Sequence, residues 1–341
     1  MVDPQRIAVL GAGSWGTALA ALLAANGHEV RLWSRDAELA ARLTIERENR
    51  RYLPGIALAD TITPNAEIET VVESASVVVF AVPSVAVRGV ARGISSILSD
   101  NAILLSAAKG LEDVTGKRMS EVLAEEIPAA EPRIVVLSGP NLAVEVARGV
   151  PTASVAASYE IEYARQVQQL FMEQKMPTFR VYTGRDVVGV ELGGAVKNVI
   201  AIGAGICDGL GYGDNSKAGL MTRGLTETIR LGVAQSAEMT TFLGLSGVGD
   251  LIATGASRLS RNYRVGFALG QGKTLDAVLK EIGQVAEGVP TTHVVCQLAR
   301  NCGVEMPLCE AIYAVLFESR APQEMIRELM LRPPKDESDL I

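Results

Sequence analysis

The stretch IAVLGAGSWG (7–16) places a G-x-G-x-x-G motif directly after a short apolar run. The helical pattern TALAALLAANG (17–27) follows it, and the strand pattern EVRLW (29–33) comes next. A strand, a glycine turn, a helix and a second strand in this order are the opening of a Rossmann-type dinucleotide-binding unit. This stretch therefore predicts an α/β fold for the first part of the chain.

The glycines of the motif each have a physical reason in such a unit. Gly11 permits the tight turn, Gly13 lets the backbone approach a diphosphate, and Gly16 lets the helix pack closely on the strand. The diphosphate lies on the free N–H groups and the positive dipole end of the helix. We expect Gly11, Gly13 and Gly16 to bind NAD or NADP, and a chance glycine turn is the alternative.

The residues after the second strand bear on which cofactor is used. NAD sites carry a carboxylate at this place to hold the ribose 2′-hydroxyl, whereas an arginine accommodates the 2′-phosphate of NADP. The chain reads Ser34-Arg35-Asp36, with serine in the position expected for the carboxylate. Arg35 favours NADP, and Asp36 leaves NAD open. An ordinary surface arginine paired with Asp36 is the alternative for Arg35.

The first half continues with apolar runs that lack strict alternation. Such runs indicate strands covered on both faces, as in a parallel sheet. Near residue 186 the pattern changes to helical segments broken by glycine clusters. We therefore predict a doubly wound, mostly parallel Rossmann domain over residues 1–185 and an all-helical (all-α) domain over residues 186–341. The further predicted strands are VVVFAVP (77–83), AILLSAAK (102–109), RIVVLSGP (133–140), TASVAAS (152–158) and FRVYTG (179–184).

Composition limits the partners of the chain. Its 341 residues carry a formal net charge of −7 and a pI near 5.2, with no basic tract. This balance argues against nucleic acid as a partner, and no apolar run reads as a signal peptide or a membrane-inserting segment. Four separated cysteines and two histidines indicate reduced thiols and no metal site. We expect a cytoplasmic protein.

Two loops that follow predicted strands carry polar residues. SAAKGLE (106–112) places Lys109 at the end of one strand, and LSGPNLAVE (137–145) ends another with a Gly-Pro turn. Ligands of open α/β sheets bind outside the carboxyl ends of the strands. We expect both loops to face the dinucleotide crevice, and a solvated lysine is the alternative for Lys109.

One lysine lies inside a predicted buried helix of the second half. The segment GGAVKNVIAIGAGICDG (193–209) is made mostly of small and apolar residues around Lys197. Gly193, Gly194 and Ala201 lie about one helical turn from Lys197, and we expect them to leave room for a ligand beside the helix. A structural lysine paired with Asp208 or Glu191 is the alternative.

A second polar group of the helical half lies at a predicted helix start. Ser260-Arg261-Asn262 precedes the apolar helical pattern YRVGFALG (263–270). An N-cap serine, an arginine and unpaired helix N–H groups together make an anion site. A plain capped helix with a solvated arginine is the alternative.

A series of motifs runs along nearly the whole chain, roughly from residue 6 to residue 318. In order they are GAGSWGTALA (11–20), VPS (82–84), AAKGLE (107–112), SGPNLA (138–143), ELGGAVKNVIAIGAGICDGLGYGDN (191–215), KAGLMTRGL (217–225), SRN (260–262) and GQVAEGV (283–289). Their order and spacing resemble the bacterial-type NAD(P)-dependent glycerol-3-phosphate dehydrogenases. The resemblance implies a Rossmann domain, an all-helical domain and the interconversion of sn-glycerol 3-phosphate and dihydroxyacetone phosphate. That reaction supplies the backbone of glycerophospholipids.

The resemblance also implies site residues, carried over position by position. The implied contacts of a small phosphorylated substrate are Lys109, Gly139, Asn141, Lys197, Asp250, Ser260, Arg261 and Asn262. The implied cofactor contacts beyond the glycines are Ser14, Trp15, Arg35, Lys109, Ala143, Arg261, Val285 and Glu287. The chain departs from the family at Asn141-Leu142, where Ser or Thr followed by Phe is usual, and this leaves the role of Asn141 open.

The family's proton acceptor matches Lys197. Burial and neighbouring cations lower the pKa of a lysine and make the neutral amine accessible near pH 7. Two other function classes stay open: a related hydroxyacid or sugar-acid dehydrogenase, which needs a carboxylate site, and a nucleotide-sensing protein without turnover. The apolar helical domain also makes a homodimer plausible.

Overall fold

The computed structural model describes residues 4–172, 178–334 and 336–337. The chain divides into two compact units. The first comprises Met1–Ala108 and Met119–Val187, and the second comprises Lys109–Arg118 and Val188–Ile341. The second unit thus includes a segment from within the predicted domain 1–185, a difference from the predicted single boundary near residue 185.

The first unit is built on an eight-stranded sheet. Its strands, with a separate two-stranded hairpin formed by β3 and β4, are β1 (Arg6–Leu10), β2 (Glu29–Trp33), β3 (Glu48–Asn49), β4 (Leu53–Ala57), β5 (Ile62–Asn65), β6 (Val77–Phe80), β7 (Ile103–Ser106), β8 (Ile134–Ser138), β9 (Thr152–Ala157) and β10 (Phe179–Gly184). The strand order is β10-β9-β8-β7-β6-β1-β2-β5. All neighbours pair in parallel except β8 and β9, which are antiparallel.

Helices cover both faces of this sheet. They are α1 (Ser14–Ala25), α2 (Ala37–Glu46), α3 (Ile68–Val72), α4 (Ser84–Ile94), α5 (Met119–Glu126), a 3₁₀ helix (Pro128–Arg133), α6 (Ala143–Ala147) and α7 (Ile161–Met172). Alternate residues of β1 point to opposite layers: Ile7 and Val9 pack with α1, α2 and α7, whereas Ala8 and Leu10 pack with α3, α4 and α5. Burial on both faces explains why the central strands read as continuous apolar runs.

The carboxyl ends of the central strands lie level with one another. Leu10 pairs in register with Trp33 on one side and with Phe80 on the other. Phe80 pairs in turn with Ser106. The loops after β1, β2, β6 and β7 therefore leave the sheet along the same edge, which is the edge where open α/β sheets bind ligands.

The second unit is helical over its described residues, apart from one isolated bridge between Leu111 and Arg118. Its helices are α8 (Val187–Gly209), α9 (Asp214–Ala234), α10 (Met239–Phe242), a π-helical turn (Leu245–Gly249), α11 (Asp250–Gly255), α12 (Arg261–Gly270), α13 (Leu275–Ile282), α14 (Gly288–Cys302), α15 (Pro307–Phe317) and α16 (Pro322–Met330). The doubly wound sheet and the helical second half confirm the predicted fold class.

Helix α8 is the centre of the second unit. It is long and apolar enough to cross a membrane by length and composition, yet 89% of its apolar window is buried inside the protein. Its glycines let α12 approach closely, because a Cβ added at Gly205 or Gly209 would collide with the carbonyl oxygen of Tyr263 or Phe267. Contact with neighbouring helices on all sides therefore accounts for its small, apolar composition.

The segment Lys109–Arg118 belongs to the second unit through side chains at each of its ends. Leu111 packs in the helical core, and Arg118 forms an ion pair of 3.0 Å with Glu191 of α8. Lys109 pairs with Asp250 at 2.8 Å. The lysine that follows β7 in the sequence is thus part of the helical unit.

Candidate active site and dinucleotide site

The glycine turn after β1 has the geometry that a dinucleotide's diphosphate needs. Gly11 has φ of +119°, and an added Cβ there would lie 2.8 Å from the Ala81 carbonyl oxygen. A Cβ at Gly16 would collide with the carbonyl oxygen of Gly11. Gly13 is the N-cap of α1, and a Cβ there would meet no described atom within 4 Å. The turn thus packs tightly against the protein at Gly11 and Gly16, whereas Gly13 leaves space beside the helix N-terminus, where an anionic ligand binds.

A buried asparagine fixes this turn. The Asn49 side chain, fully buried, donates from Nδ2 to the carbonyl oxygen of Ala12 (2.9 Å) and to Oγ1 of Thr17 (2.8 Å). Ser14 Oγ donates to the carbonyl oxygen of Tyr52 at 2.6 Å. The hydroxyl of Ser14, a predicted cofactor contact, therefore also ties the turn to the β3–β4 hairpin. Sequence reasoning missed Asn49, because its strand has only two residues.

In the segment after β2, Asp36 contacts the start of α2 and Arg51. Asp36 is the N-cap of α2, and its Oδ1 accepts a hydrogen bond from Leu39 N at 3.0 Å. Its Oδ2 lies 3.5 Å from Nη1 of Arg51. Arg35 is exposed. The alternative in which Asp36 serves as the partner of Arg35 is therefore not what the structure shows.

Buried polar atoms without a described hydrogen-bond partner lie around the ligand edge of the sheet. They include Nε1 of Trp15 in the glycine turn and the hydroxyls of Ser106 and Ser138. Ser106 and Ser138 are the last residues of β7 and β8. Unsatisfied buried groups carry a free-energy cost, which a polar ligand at the carboxyl ends of the strands removes. The first unit thus fits a bound dinucleotide.

The loop after β8 carries the remaining predicted residues of the first unit. Gly139 has φ of +143°, where a Cβ would lie 3.0 Å from the Ser154 Cα. Asn141 accepts a hydrogen bond from Ser154 Oγ at 3.2 Å and donates to the Ala153 carbonyl oxygen at 3.4 Å. Ala143 is the first residue of α6. The Asn141 amide therefore supports its own loop, while its role in substrate binding stays a prediction.

In the second unit, Asp250 joins two lysines that are far apart in sequence. Lys197 is 8% exposed, and its Nζ donates to Oδ1 of Asp250 (2.9 Å) and to Oγ1 of Thr254 (2.7 Å). Lys109 Nζ donates to Oδ2 of the same carboxylate at 2.8 Å. Asp250 is 1% exposed. Two predicted active-site lysines thus share one buried carboxylate.

Burial and charge together lower the pKa values of both Lys197 and Asp250. Burial lowers the pKa of Lys197 to about 8, Asp250 opposes this, and the Lys109 and Arg261 cations reinforce it. Burial opposes ionisation of Asp250, but the Lys109 and Lys197 ammonium groups outweigh it and bring the pKa of Asp250 below its usual value. One carboxylate between two ammonium groups leaves the cluster positive, which favours an anionic ligand and a lysine that releases its proton.

The structure rules out the alternative given for Lys197 and corrects one expectation about its surroundings. The structure does not pair it with Asp208, which bonds to Lys217 and Tyr263, or with Glu191, which bonds to Arg118. The room beside Gly193 is also not free for a ligand, because an added Cβ would lie 2.5 Å from the carbonyl oxygen of Ser246. Gly193 serves the close packing of the π-helical turn on α8.

An asparagine pair connects the two lysines with the start of α12. Asn198 Nδ2 donates to the carbonyl oxygen of Lys109 at 3.1 Å. Asn262 Nδ2 donates to Asn198 Oδ1 at 2.8 Å, and Asn262 Oδ1 accepts from Gly288 N at 2.9 Å. Both ends of the Asn262 amide are therefore engaged within the protein. Asn262 positions Lys109 through Asn198.

The start of α12 has the predicted capped geometry. Ser260 is the N-cap, and its Oγ accepts a hydrogen bond from Tyr263 N at 3.2 Å. Arg261 is the first helical residue, partly buried, and its charge acts on Lys197. Burial lowers the pKa of the Arg261 guanidinium, and Glu287 partly offsets this. Val285, an implied cofactor contact, is 44% exposed.

Sequence reasoning also missed Thr254 and Asn198. Thr254 lies one helical turn after Asp250 and donates to its Oδ1 at 3.1 Å, while accepting from Lys197. Asn198 directly follows Lys197 in α8. The i, i+4 spacing from Asp250 marks Thr254 as a residue on the same helix face, but only the folded arrangement shows which residue it contacts.

A doubly wound sheet unit with a glycine turn that fits a dinucleotide, and a helical unit with a buried Lys-Asp-Lys cluster, are features of an NAD(P)-dependent dehydrogenase. Two family profiles match the chain: the NAD-dependent glycerol-3-phosphate dehydrogenase N-terminus over residues 6–164, and its C-terminus over residues 186–327. The chain belongs to the NAD-dependent glycerol-3-phosphate dehydrogenase family.

Individual relatives agree with these profiles. The chain is 49% identical over 335 residues to a glycerol-3-phosphate dehydrogenase [NAD(P)+] of Geobacillus kaustophilus, covering 98% of this chain and 97% of that protein. It is 50% identical over 329 residues to the protein of that name from Moorella thermoacetica, covering 96% of each. A crystal structure of glycerol-3-phosphate dehydrogenase from Coxiella burnetii superposes with a TM-score of 0.91 at 37% identity, covering 96% of this chain and 99% of that chain. These matches confirm the predicted family, the enzyme class and the use of NAD or NADP.

Proposed function

We propose that this chain interconverts sn-glycerol 3-phosphate and dihydroxyacetone phosphate, with NADP favoured over NAD and Lys197 as the group that moves the proton. The observation that carries this proposal is the buried cluster of Lys109, Asp250 and Lys197. It offers an amine with a pKa of about 8 beside a second ammonium group. General acid–base catalysis works best with a pKa close to the operating pH.

The residues of the cluster have separable tasks. A nicotinamide cofactor held at the glycine turn of Gly11, Gly13 and Gly16 would supply the hydride chemistry. Neutral Lys197 takes the hydroxyl proton at Nζ as the C–H hydride leaves, and its ammonium form gives that proton back to the oxygen during reduction. Asp250 and Thr254 hold Nζ through two hydrogen bonds, while Lys109 polarises the substrate oxygen.

The start of α12 is the proposed site of the substrate phosphate. The Arg261 guanidinium and the first N–H groups of the helix supply charge-assisted hydrogen bonds to a dianion. The Ser260 hydroxyl also belongs to this site, although its Oγ caps the helix. Asn262 also belongs to this site: one N–H of its Nδ2 holds Asn198 and its Oδ1 holds Gly288 N, while the second N–H of Nδ2 is the proposed donor to the phosphate.

Arg35, exposed after β2, is the proposed contact of the NADP 2′-phosphate. Asp36 caps α2 and pairs with Arg51, which supports NADP over NAD. We also propose that the reaction feeds glycerophospholipid synthesis, and that the protein is a cytoplasmic homodimer. Three of the four cysteines are buried thiols, as suits a reducing compartment.

Initial rates with the purified chain test this function. NADPH oxidation is measured with dihydroxyacetone phosphate, with dihydroxyacetone and with pyruvate as a 2-ketoacid, and the series is repeated with NADH. Of the three ketones, we expect only dihydroxyacetone phosphate to be turned over rapidly. We also expect a higher kcat/KM with NADPH than with NADH. Preferred turnover of the 2-ketoacid would contradict the phosphate assignment and favour a hydroxyacid dehydrogenase. Binding of NADPH without oxidation by any ketone would favour a sensing protein.

A further inference from the structure

The turn of the β3–β4 hairpin is held against the glycine turn of the dinucleotide site. Asn49 and Leu53 pair across the hairpin and leave Arg50, Arg51 and Tyr52 as its turn. Asn49 donates to the carbonyl oxygen of Ala12, and the Tyr52 carbonyl oxygen accepts from Ser14 Oγ. Arg51 is therefore bracketed by two residues that are bonded to the glycine turn and lies at its rim.

From this position Arg51 reaches the end of β2. Its Nη1 lies 3.5 Å from Oδ2 of Asp36, and its guanidinium lies over the Tyr52 ring with Cζ 5.0 Å from the ring centroid. The Arg51 side chain is 54% exposed, so its remaining N–H groups are open to solvent. A cation held over an aromatic ring is partly oriented before a ligand arrives. Arg51 thus joins the two features that frame the adenine-side ribose of a dinucleotide in a Rossmann unit: the glycine turn and the end of the second strand.

We propose that Arg51 reads the 2′-phosphate of NADP together with Arg35. This inference rests on the proposed preference for NADP. Arg35 lies two residues after the end of β2, and Arg51 reaches the same place from the hairpin. Both guanidinium groups would therefore contact the same 2′-phosphate. The ion pair of Arg51 with Asp36 is long and half exposed, and a phosphate offers shorter, charge-assisted bonds to the same guanidinium. The hairpin therefore determines cofactor choice from outside the β2 loop.

The adjacent residue provides a matched control. Arg50 lies in the same turn, but its Nε faces Glu46 (3.6 Å) and Glu48 (3.3 Å). It is 70% exposed, so its removal subtracts the same charge from the hairpin without touching Asp36. A general loss of positive charge would affect Arg50→Ala and Arg51→Ala alike, whereas a direct contact affects only the second variant.

Binding of NADPH and of NADH in the absence of substrate tests the inference, measured by titration calorimetry on the full-length wild type, Arg50→Ala, Arg51→Ala and Arg35→Ala. We expect Arg51→Ala to raise the Kd of NADPH about tenfold or more, the scale of one charge-assisted hydrogen bond, and to change that of NADH less than about twofold. Arg50→Ala leaves both values near those of the wild type.

The other outcomes separate the two proposals. A wild type that binds NADPH and NADH equally would contradict the cofactor preference, and the role of Arg51 with it. If the wild type and Arg35→Ala behave as expected while Arg51→Ala keeps its NADPH affinity, the preference stands and the role of Arg51 is wrong. Equal weakening of both cofactors by Arg51→Ala would show that Arg51 supports the hairpin only.

Discussion

At the scale of single residues, Lys197 is set between two opposing charges. Asp250 raises its pKa and Lys109 lowers it. Asp250→Asn should therefore move the pKa of Lys197 below about 8, while Lys109→Met should move it above about 8. Both shifts are read from the acid limb of kcat/KM against pH in the oxidation of glycerol 3-phosphate, because that limb reports the free enzyme's base.

The control for the substitutions Asp250→Asn and Lys109→Met is Lys217→Met. Lys217 bonds to Asp208 and Asp214, and it has no bond to the cluster. Its removal should leave the acid limb in place. If Asp250→Asn and Lys109→Met shift the limb in the same direction, the limb belongs to a group other than Lys197.

Arg261 supplies the second residue-scale prediction. Loss of one charge-assisted hydrogen bond in Arg261→Ala should raise KM for dihydroxyacetone phosphate by roughly 10- to 150-fold. Its kcat should fall as well, because phosphate binding energy helps to position the carbinol carbon. Arg264→Ala is the control, since Arg264 lies exposed on the same helix and should change KM little.

Dihydroxyacetone distinguishes a phosphate contact from a structural role of Arg261. This compound lacks the phosphate and should be a poor substrate for wild type and variant alike. If Arg261→Ala lowers kcat/KM by the same factor for both compounds, Arg261 serves the cofactor or the fold instead of the substrate phosphate.

At the scale of secondary-structure elements, the α8–α12 crossing places Arg261. A Cβ at Gly266 would collide with the carbonyl oxygen of Ile202, so the two backbones are in direct contact there. Gly266→Ala should destabilise the protein by about 1–3 kcal/mol, the usual cost of overpacking. Gly219→Ala is the matched control, because a Cβ at this exposed position of α9 would meet no described atom within 4 Å.

Urea unfolding of both variants measures the difference. Gly219→Ala should be neutral or stabilising by roughly 0.5–1 kcal/mol, since alanine loses less backbone entropy than glycine in a helix. Gly266→Ala should also raise KM for dihydroxyacetone phosphate, because α12 carries the proposed phosphate site. Equal stabilisation by both substitutions would mean that the helices are not in backbone contact.

The start of α15 depends on a carboxylate from α9. Glu227 accepts hydrogen bonds from Leu308 N (2.7 Å) and Cys309 N (3.1 Å). Burial raises the pKa of Glu227 to about 7, although these two N–H groups oppose the shift. A folded-state pKa above the unfolded value means that the folded protein holds the proton more tightly, so stability falls as pH rises from about 4.5 to about 7.

Stability against pH tests this titration. Glu227→Gln cannot ionise, so its free energy of unfolding should lack the decline that the wild type shows over this range, a difference of up to about 3 kcal/mol. The measurement is urea unfolding of both proteins at several pH values between 5 and 8. Parallel stability curves for the two proteins would show that Glu227 does not titrate in this range.

Sequence patterns predicted the buried apolar strands better than the strands that have exposed positions. β2 and β10 begin and end at the predicted residues, 29–33 and 179–184, because their apolar residues are flanked by clear breaks. β3, β4 and β5 were not predicted, since β3 has only two residues and exposed positions interrupt the apolar pattern of β4 and β5. The missed hairpin is the element that holds Asn49 and Arg51, so their contacts with the glycine turn and with Asp36 were missed as well.

At the scale of the whole molecule, chain separation limits what a sequence shows of the active site. Each lysine was predicted from its local setting, Lys109 after a strand and Lys197 within an apolar helix. Their shared partner Asp250 lies 141 residues from Lys109 and 53 from Lys197. Local pattern carries no information on such contacts, which is why the bonds of Thr254 and Asn198 and the true partners of Glu191 and Asp208 emerge only from the fold.

Proton transfer by Lys197 is tested most directly by kcat and kcat/KM against pH for glycerol 3-phosphate oxidation, in the wild type, Lys197→Ala and the bulkier Lys197→Met. The wild-type kcat/KM should rise with pH through about 8, as the neutral amine forms in the free enzyme. Both variants should lose at least about 100-fold in kcat and lose this pH dependence, while the Kd of NADPH, measured by calorimetry, stays within about twofold of the wild-type value. A variant that binds NADPH normally and turns over at a near-normal rate, or keeps the wild-type pH dependence, would show that another group moves the proton.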